Sequence, residues 1–107
     1  MFLVTGDGPS FALGRYVAEE AELLTIAVSP EARGRGLGRD MLQAYEEDAR
    51  QQGALTSFLE VAADNVTAIS LYLSEGYSES GRRKAYYTAP DGSKIDALIF
   101  EKRINHS

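Results

Sequence analysis

Along the first quarter of the chain, apolar residues come in short runs broken by turn-forming residues. Phe2 to Thr5, Phe11 to Ala18 and Glu22 to Val28 read as strands. Gly6-Asp7-Gly8-Pro9 is a turn, and Glu19-Glu20 is the tight connection predicted to make the second and third strands an antiparallel pair. Pro30 ends the last of these strands. From Leu37 the period changes: Leu37, Met41, Leu42, Tyr45 and Ala49 fall on one face near 3.6 residues per turn, with charges opposite. This predicts a helix over about residues 36–52, stopped by Gly53. "ALTSFLEVA" reads as a strand over about 54–62, apolar on both sides apart from Glu60, as expected of a buried strand. Asp64 or Asn65 can cap a second helix carrying Val66, Ile69, Tyr72 and Leu73 and ending at Gly76. Two strands, about 82–88 and 94–102, close the chain around "APDGS". The order predicts an α/β fold: a mixed open sheet with helices packed on it.

Composition narrows the chemistry. With 107 residues the chain is expected to form one domain, residues 1–107. It has no cysteine, so thiolate chemistry and disulfides are excluded, and with His106 as its lone histidine no metal site is expected. No apolar stretch is long enough to span a bilayer, and "MFLVTGDGPS" lacks a basic leader, so a cytoplasmic protein is expected. A formal net charge of -5 argues against direct nucleic-acid binding.

Within that acidic chain, "RGRGLGR" gathers Arg33, Arg35 and Arg39 around Gly34, Gly36 and Gly38. It falls where a strand stops and a helix starts. A helix N-terminus offers unpaired N–H groups and partial positive charge, glycine lets the backbone approach an anion, and arginine can fork onto phosphate oxygens. The alternative is a flexible turn with solvated arginines. A P-loop is excluded because no Gly-Lys-Ser/Thr follows. The dinucleotide fingerprint fails because position 39, where its third glycine belongs, is Arg39.

The spacing Arg-x-x-Gly-x-Gly, Arg33 to Gly38, after "ELLTIAVSPEA" resembles the pyrophosphate loop of the GNAT superfamily of N-acetyltransferases. "AELLTIAVSPEARGRGLGRDML", "FLEVAADNVTAISLYLSEGY" and "GRRKAYYTAPDGSKIDALIF" are similar to consecutive blocks of one branch, the ribosomal-protein alanine N-acetyltransferases. The resemblance covers roughly residues 21 to 100. It implies acetyl-CoA as co-substrate, with Ile26, Ala27 and Val28 lending backbone groups to the pantetheine arm. It further implies that Arg33, Gly34, Arg35, Gly36, Leu37, Gly38 and Arg39 grip the pyrophosphate and that Asn65 contacts the cofactor. The general base and general acid fall on Glu60 and Tyr72. Members of the family carry a further strand and two helices ahead of the residue matching Met1. Without them, a sheet face and edge are expected to be covered by a second copy, giving a homo-oligomer.

On physical grounds Glu60 is an anomaly, since a carboxylate in a buried strand must be paired, reach water, or stay protonated to higher pH. Acetyl transfer needs a neutral amine, and a carboxylate can remove the proton from one. Tyr72 reads either as an ordinary core aromatic or as the donor of a proton to the departing thiolate. Tyr86 and Tyr87, beside Arg82, Arg83 and Lys84, read first as alternating strand packing with a basic edge and second as the lining of an acceptor groove. Ser29 and Ser70 lack a histidine partner, so direct attack without an acyl-enzyme is expected. The function expected is transfer of acetyl to a protein N-terminal amine, an N-terminal alanine of a ribosomal protein. The alternatives are a non-catalytic acetyl-CoA-binding module and an acetyltransferase of a small amine.

Overall fold

The computed structural model describes residues 2–5, 10–28 and 36–105. In chain order the elements are β1 (Phe2–Thr5), β2 (Ser10–Val17), β3 (Glu20–Val28), α1 (Leu37–Gln51), β4 (Thr56–Ala62), α2 (Val66–Ser74), β5 (Ser78–Thr88) and β6 (Lys94–Arg103). The turn expected at Gly6 to Pro9 lies outside the described residues. Two compact units are present, one built from Met1–Ser57 with Arg103–Ser107, the other from Phe58–Lys102.

In the first unit β1, β2 and β3 form an antiparallel meander. The β2–β3 turn falls on Ala18-Glu19, one residue earlier than the sequence predicted, because Glu20 joins the ladder opposite Val17. Ala18 takes a left-handed conformation there (φ 56), and the Glu19 carbonyl is tied down by Leu55 N–H at 2.7 Å. Leu13 pairs with Thr25 but Gly14 with Leu23, so Leu24 is an extra residue bulging from β3. Gly14 is required at this point. A Cβ placed on it would lie 2.6 Å from Cε1 of Tyr45, where no side-chain carbon fits.

The stripe predicted for α1 is the buried one: Leu42, Tyr45 and Ala49 are fully enclosed. Burying Leu42 alone contributes about 2 kcal/mol. Glu46, which the periodicity assigned to the solvent face, is buried as well, with the Arg50 guanidinium 3.9 Å away. The helix stops as its sequence suggests, with Gln52 closing the last turn and Gly53 following at φ 96. Arg50 Nε then donates to the Ile104 carbonyl, fastening the end of the chain to α1.

Tyr45 supplies a test of this packing. Its hydroxyl lies 2.9 Å from that of Ser57, and burial pushes its pKa up to about 12 despite that bond. A raised pKa contributes stability that is whole below the unfolded value of 10.0 and lost as pH rises through about 12. The unfolded chain then gives up its proton first, and the loss amounts to roughly 3 kcal/mol. Tyr45→Phe should cost about 1 kcal/mol at neutral pH, from the lost hydrogen bond. It should also remove its share of the alkaline loss, so urea denaturation at rising pH should show the variant falling less steeply than wild type. Parallel curves would mean that the hydroxyl is not held protonated by the fold.

In the second unit β6 lies between β4 and β5 and runs antiparallel to β5. β4 does not bury both faces as predicted. Leu59 and Val61 are buried while Phe58, Glu60 and Ala62 are only half-buried, so the strand alternates. Asn65 caps α2, its Oδ1 accepting from Ala68 N–H at 3.2 Å, and Gly76 follows the helix at φ 95. β5 begins at Ser78, four residues before the predicted start. Its early part, "SESG", is polar and exposed, and Ser80 is an extra residue against β6, so no alternation marks it in the sequence. Leu59, Val61, Tyr77, Leu98 and Phe100 form this unit's core.

Candidate active site

The expected anion-binding loop lies partly outside the described residues, which include Gly36, Leu37, Gly38 and Arg39 but not Arg33, Gly34 or Arg35. Gly36 is the N-cap of α1 at φ 74 and provides no side-chain cap. The first bond of the helix ladder is Asp40 N–H to the Gly36 carbonyl, 3.1 Å. The N–H groups of Leu37, Gly38 and Arg39 therefore precede that ladder and point out of the helix start. Among the described residues nothing lies within 4 Å of a Cβ built on Gly36, so they leave open space against this turn. Open space, N–H groups ahead of the ladder and the exposed Arg39 suit a diphosphate. Ile26, Ala27 and Val28 end β3 in the same unit, opposite Ala12, Phe11 and Ser10 of β2.

In the second unit Glu60 has found a partner. Arg83 Nε donates to its Oε1 at 2.8 Å, and the Glu60 side chain remains 24% exposed. Pairing and partial hydration thus offset the cost of a carboxylate in β4. The Arg83 guanidinium also lies over the Tyr86 ring, 5.4 Å from its centroid, and Tyr86 meets Tyr87 edge-on at 5.1 Å. Burial pushes the Tyr87 hydroxyl pKa up, and the negative charge of Glu60 adds to the effect. Glu60, Arg83, Tyr86 and Tyr87 are therefore one cluster. The sequence assigned Arg83 to a plain basic edge, and nothing in the local pattern links it to a residue twenty-three positions earlier.

Tyr72 serves partly as the core aromatic that its helix position suggested. Its ring meets Tyr77 edge-on at 5.9 Å and Phe100 at 6.4 Å. Burial raises its pKa, so the phenol stays protonated well past neutrality. Among the described residues no side chain hydrogen-bonds its hydroxyl, and no buried polar side-chain atom lacks a partner. Asn65 holds its carbonyl oxygen in the helix cap.

Residues 10–77 match the acetyltransferase (GNAT) family. The chain belongs to that family. Over 100 residues it is 40% identical to the [ribosomal protein bS18]-alanine N-acetyltransferase of Escherichia coli K12, spanning 92% of this chain and 67% of that protein. It is 43% identical over 75 residues to N-alpha-acetyltransferase RimI of Mycobacterium tuberculosis, covering 70% of this chain and 46% of the other. The crystal structure of the ribosomal-protein-S18-alanine N-acetyltransferase from Escherichia coli superposes with a TM-score of 0.89 at 37% identity, over 99% of this chain and 71% of that one. The fold is accordingly the GNAT fold, a mixed open sheet with flanking helices. A GNAT enzyme uses acetyl-CoA, so the chain is an acetyl-CoA-dependent N-acetyltransferase. Among the described residues no helix is long and apolar enough to cross a membrane.

Proposed function

We propose that this GNAT domain acetylates the α-amino group of a protein N-terminus, an N-terminal alanine of a ribosomal protein, by direct attack. The observation that carries the acceptor is the 40% identity to an alanine N-acetyltransferase over 92% of the chain, which includes the whole Glu60 cluster. Acetyl-CoA supplies an acetyl thioester, an acyl group open to attack by an amine. Gly36 to Arg39, with Arg33, Gly34 and Arg35, hold its pyrophosphate, Ile26 to Val28 offer backbone groups to its pantetheine arm, and Asn65 contacts it.

An α-amino group has a pKa near 8 and reaches the enzyme mostly protonated at neutral pH. The Glu60 carboxylate takes that proton, directly or through one water, and leaves the nitrogen lone pair free. Tyr72 holds at its hydroxyl the proton that the leaving thiolate needs. Arg83 keeps Glu60 Oε1 in place, and Tyr86 and Tyr87 line the approach of the acceptor.

The test is acetylation of a peptide beginning with alanine, read by mass spectrometry against the same peptide blocked at its amino terminus and against one whose only amine is a lysine side chain. Transfer to the free α-amine alone is expected. Transfer only to lysine or to small amines would overturn the acceptor. Binding of acetyl-CoA with no transfer to any amine would leave a binding module instead.

A further inference from the structure

β5 holds two more residues than the stretch of β6 it faces. Arg83 pairs with Ala97 and Tyr87 with Ile95, so four steps along one strand match two along the other. The bulge turns at Ala85, whose φ is 52. A left-handed conformation costs a non-glycine residue about 1–2 kcal/mol, so something beyond the strand must hold it. Asp96, the β6 residue between Ala97 and Ile95, is placed to do so. Its Oδ1 accepts from Ala85 N–H at 2.9 Å and its Oδ2 from Arg82 Nη1 at 3.0 Å. Its main-chain carbonyl accepts from Ala63 N–H at 2.8 Å, three residues past Glu60. The Ala85 N–H and then Arg82 hold the Asp96 carboxyl below the usual carboxylate range.

The bulge matters for what it brings together. In a regular strand, neighbours such as Tyr86 and Tyr87 point to opposite faces. Here their rings touch, Arg83 lies over one of them, and Arg83 also binds Glu60.

We infer that Asp96 is a positioning residue for acetyl transfer: its carboxylate and carbonyl lock the β5 bulge that sets Arg83, Tyr86 and Tyr87 around Glu60. The bulge thereby fixes where the acceptor amine meets the carboxylate. The inference rests on the assignment of Glu60 as base.

Its test pairs kinetics with a structural readout. In Asp96→Ala, kcat/KM for an alanine peptide should fall about 10–100-fold, the scale of a misplaced acceptor, while KM for acetyl-CoA stays the same. Asp96→Asn keeps an acceptor for Ala85 N–H and should fall between that variant and wild type. Adding Ala85→Gly to Asp96→Ala should recover activity, because glycine takes the left-handed conformation without a clamp. By NMR, the ring contact between Tyr86 and Tyr87 should be present in wild type, lost in Asp96→Ala and regained in the double variant. An Asp96 that merely stabilised the fold would lower the melting temperature and the apparent kcat, leaving KM for both substrates and the Tyr86–Tyr87 contact of the folded fraction unchanged. If Asp96→Ala fails to fold, Asp96→Asn carries the comparison. A wild-type chain inert toward every amine sinks the Glu60 assignment, whereas ring contact and peptide kinetics unchanged in the Asp96 variants sink this inference alone.

Discussion

Glu60→Gln should lose turnover by about 10²–10⁴-fold at neutral pH, the usual worth of a general base. Glutamine retains an oxygen able to accept from Arg83 Nε, the bond that glutamate makes at 2.8 Å. The cluster with Tyr86 and Tyr87 should therefore survive the substitution, and only the capacity to take a proton is removed. Acetyl-CoA affinity should barely change, since the proposed pyrophosphate seat does not include Glu60. The defect should shrink as pH rises toward the acceptor's own pKa near 8, because more substrate then arrives neutral. Tyr72→Phe separates the two proposed proton movers: the ring still packs on Tyr77 and Phe100, but the hydroxyl and its proton are gone. Steady-state rates for both variants from about pH 6 to about pH 9, on either side of an amine pKa near 8, decide the matter. A Glu60→Gln enzyme with near-normal turnover at neutral pH would return Glu60 to the role of an ion-pair partner for Arg83.

What could be read in advance follows the range of the physical signal. Both helices were legible because capping and period are local: Asn65 caps α2, and Gly53 and Gly76 follow the helix ends with positive φ. Glu60 was legible because one carboxylate among apolar neighbours is costly, which made a partner or water a necessity. Which partner was not legible. Arg83 reaches Glu60 through strand pairing and a double bulge, and a bulge shifts the two-residue alternation that betrays a strand. A second irregularity, the extra residue Ser80, hid the start of β5, and the role of Asp96 was hidden because its hydrogen bonds to Ala85 and Arg82 depend on register alone. Glu46 escaped for another reason: periodicity assigns faces from apolar residues and gives no sign that a charge will be buried beside one.

Gly36→Val should weaken binding of coenzyme A by roughly 10²-fold or more, about 2.7 kcal/mol. Two effects act together in this variant and have to be told apart. Gly36 sits at φ 74, where a β-branched residue is strained by about 1–3 kcal/mol, so the start of α1 is destabilised whatever binds there. The valine side chain also enters the open space against the first turn, where a phosphate would approach the N–H groups of Leu37, Gly38 and Arg39. Gly53 provides the control. It has φ 96, nothing among the described residues within 4 Å of a built Cβ, and a place just past the other end of the same helix. Gly53→Val therefore meets comparable backbone strain in comparable space. It does so where the helix presents carbonyl groups and partial negative charge, which repel an anion rather than attract one. Thermal melts of the two variants should show similar losses of stability. Calorimetric titration with coenzyme A should then show near-normal affinity for Gly53→Val and little binding for Gly36→Val. Equal loss of affinity in both would mean that strain in α1, not an anion seat at its N-terminus, governs binding.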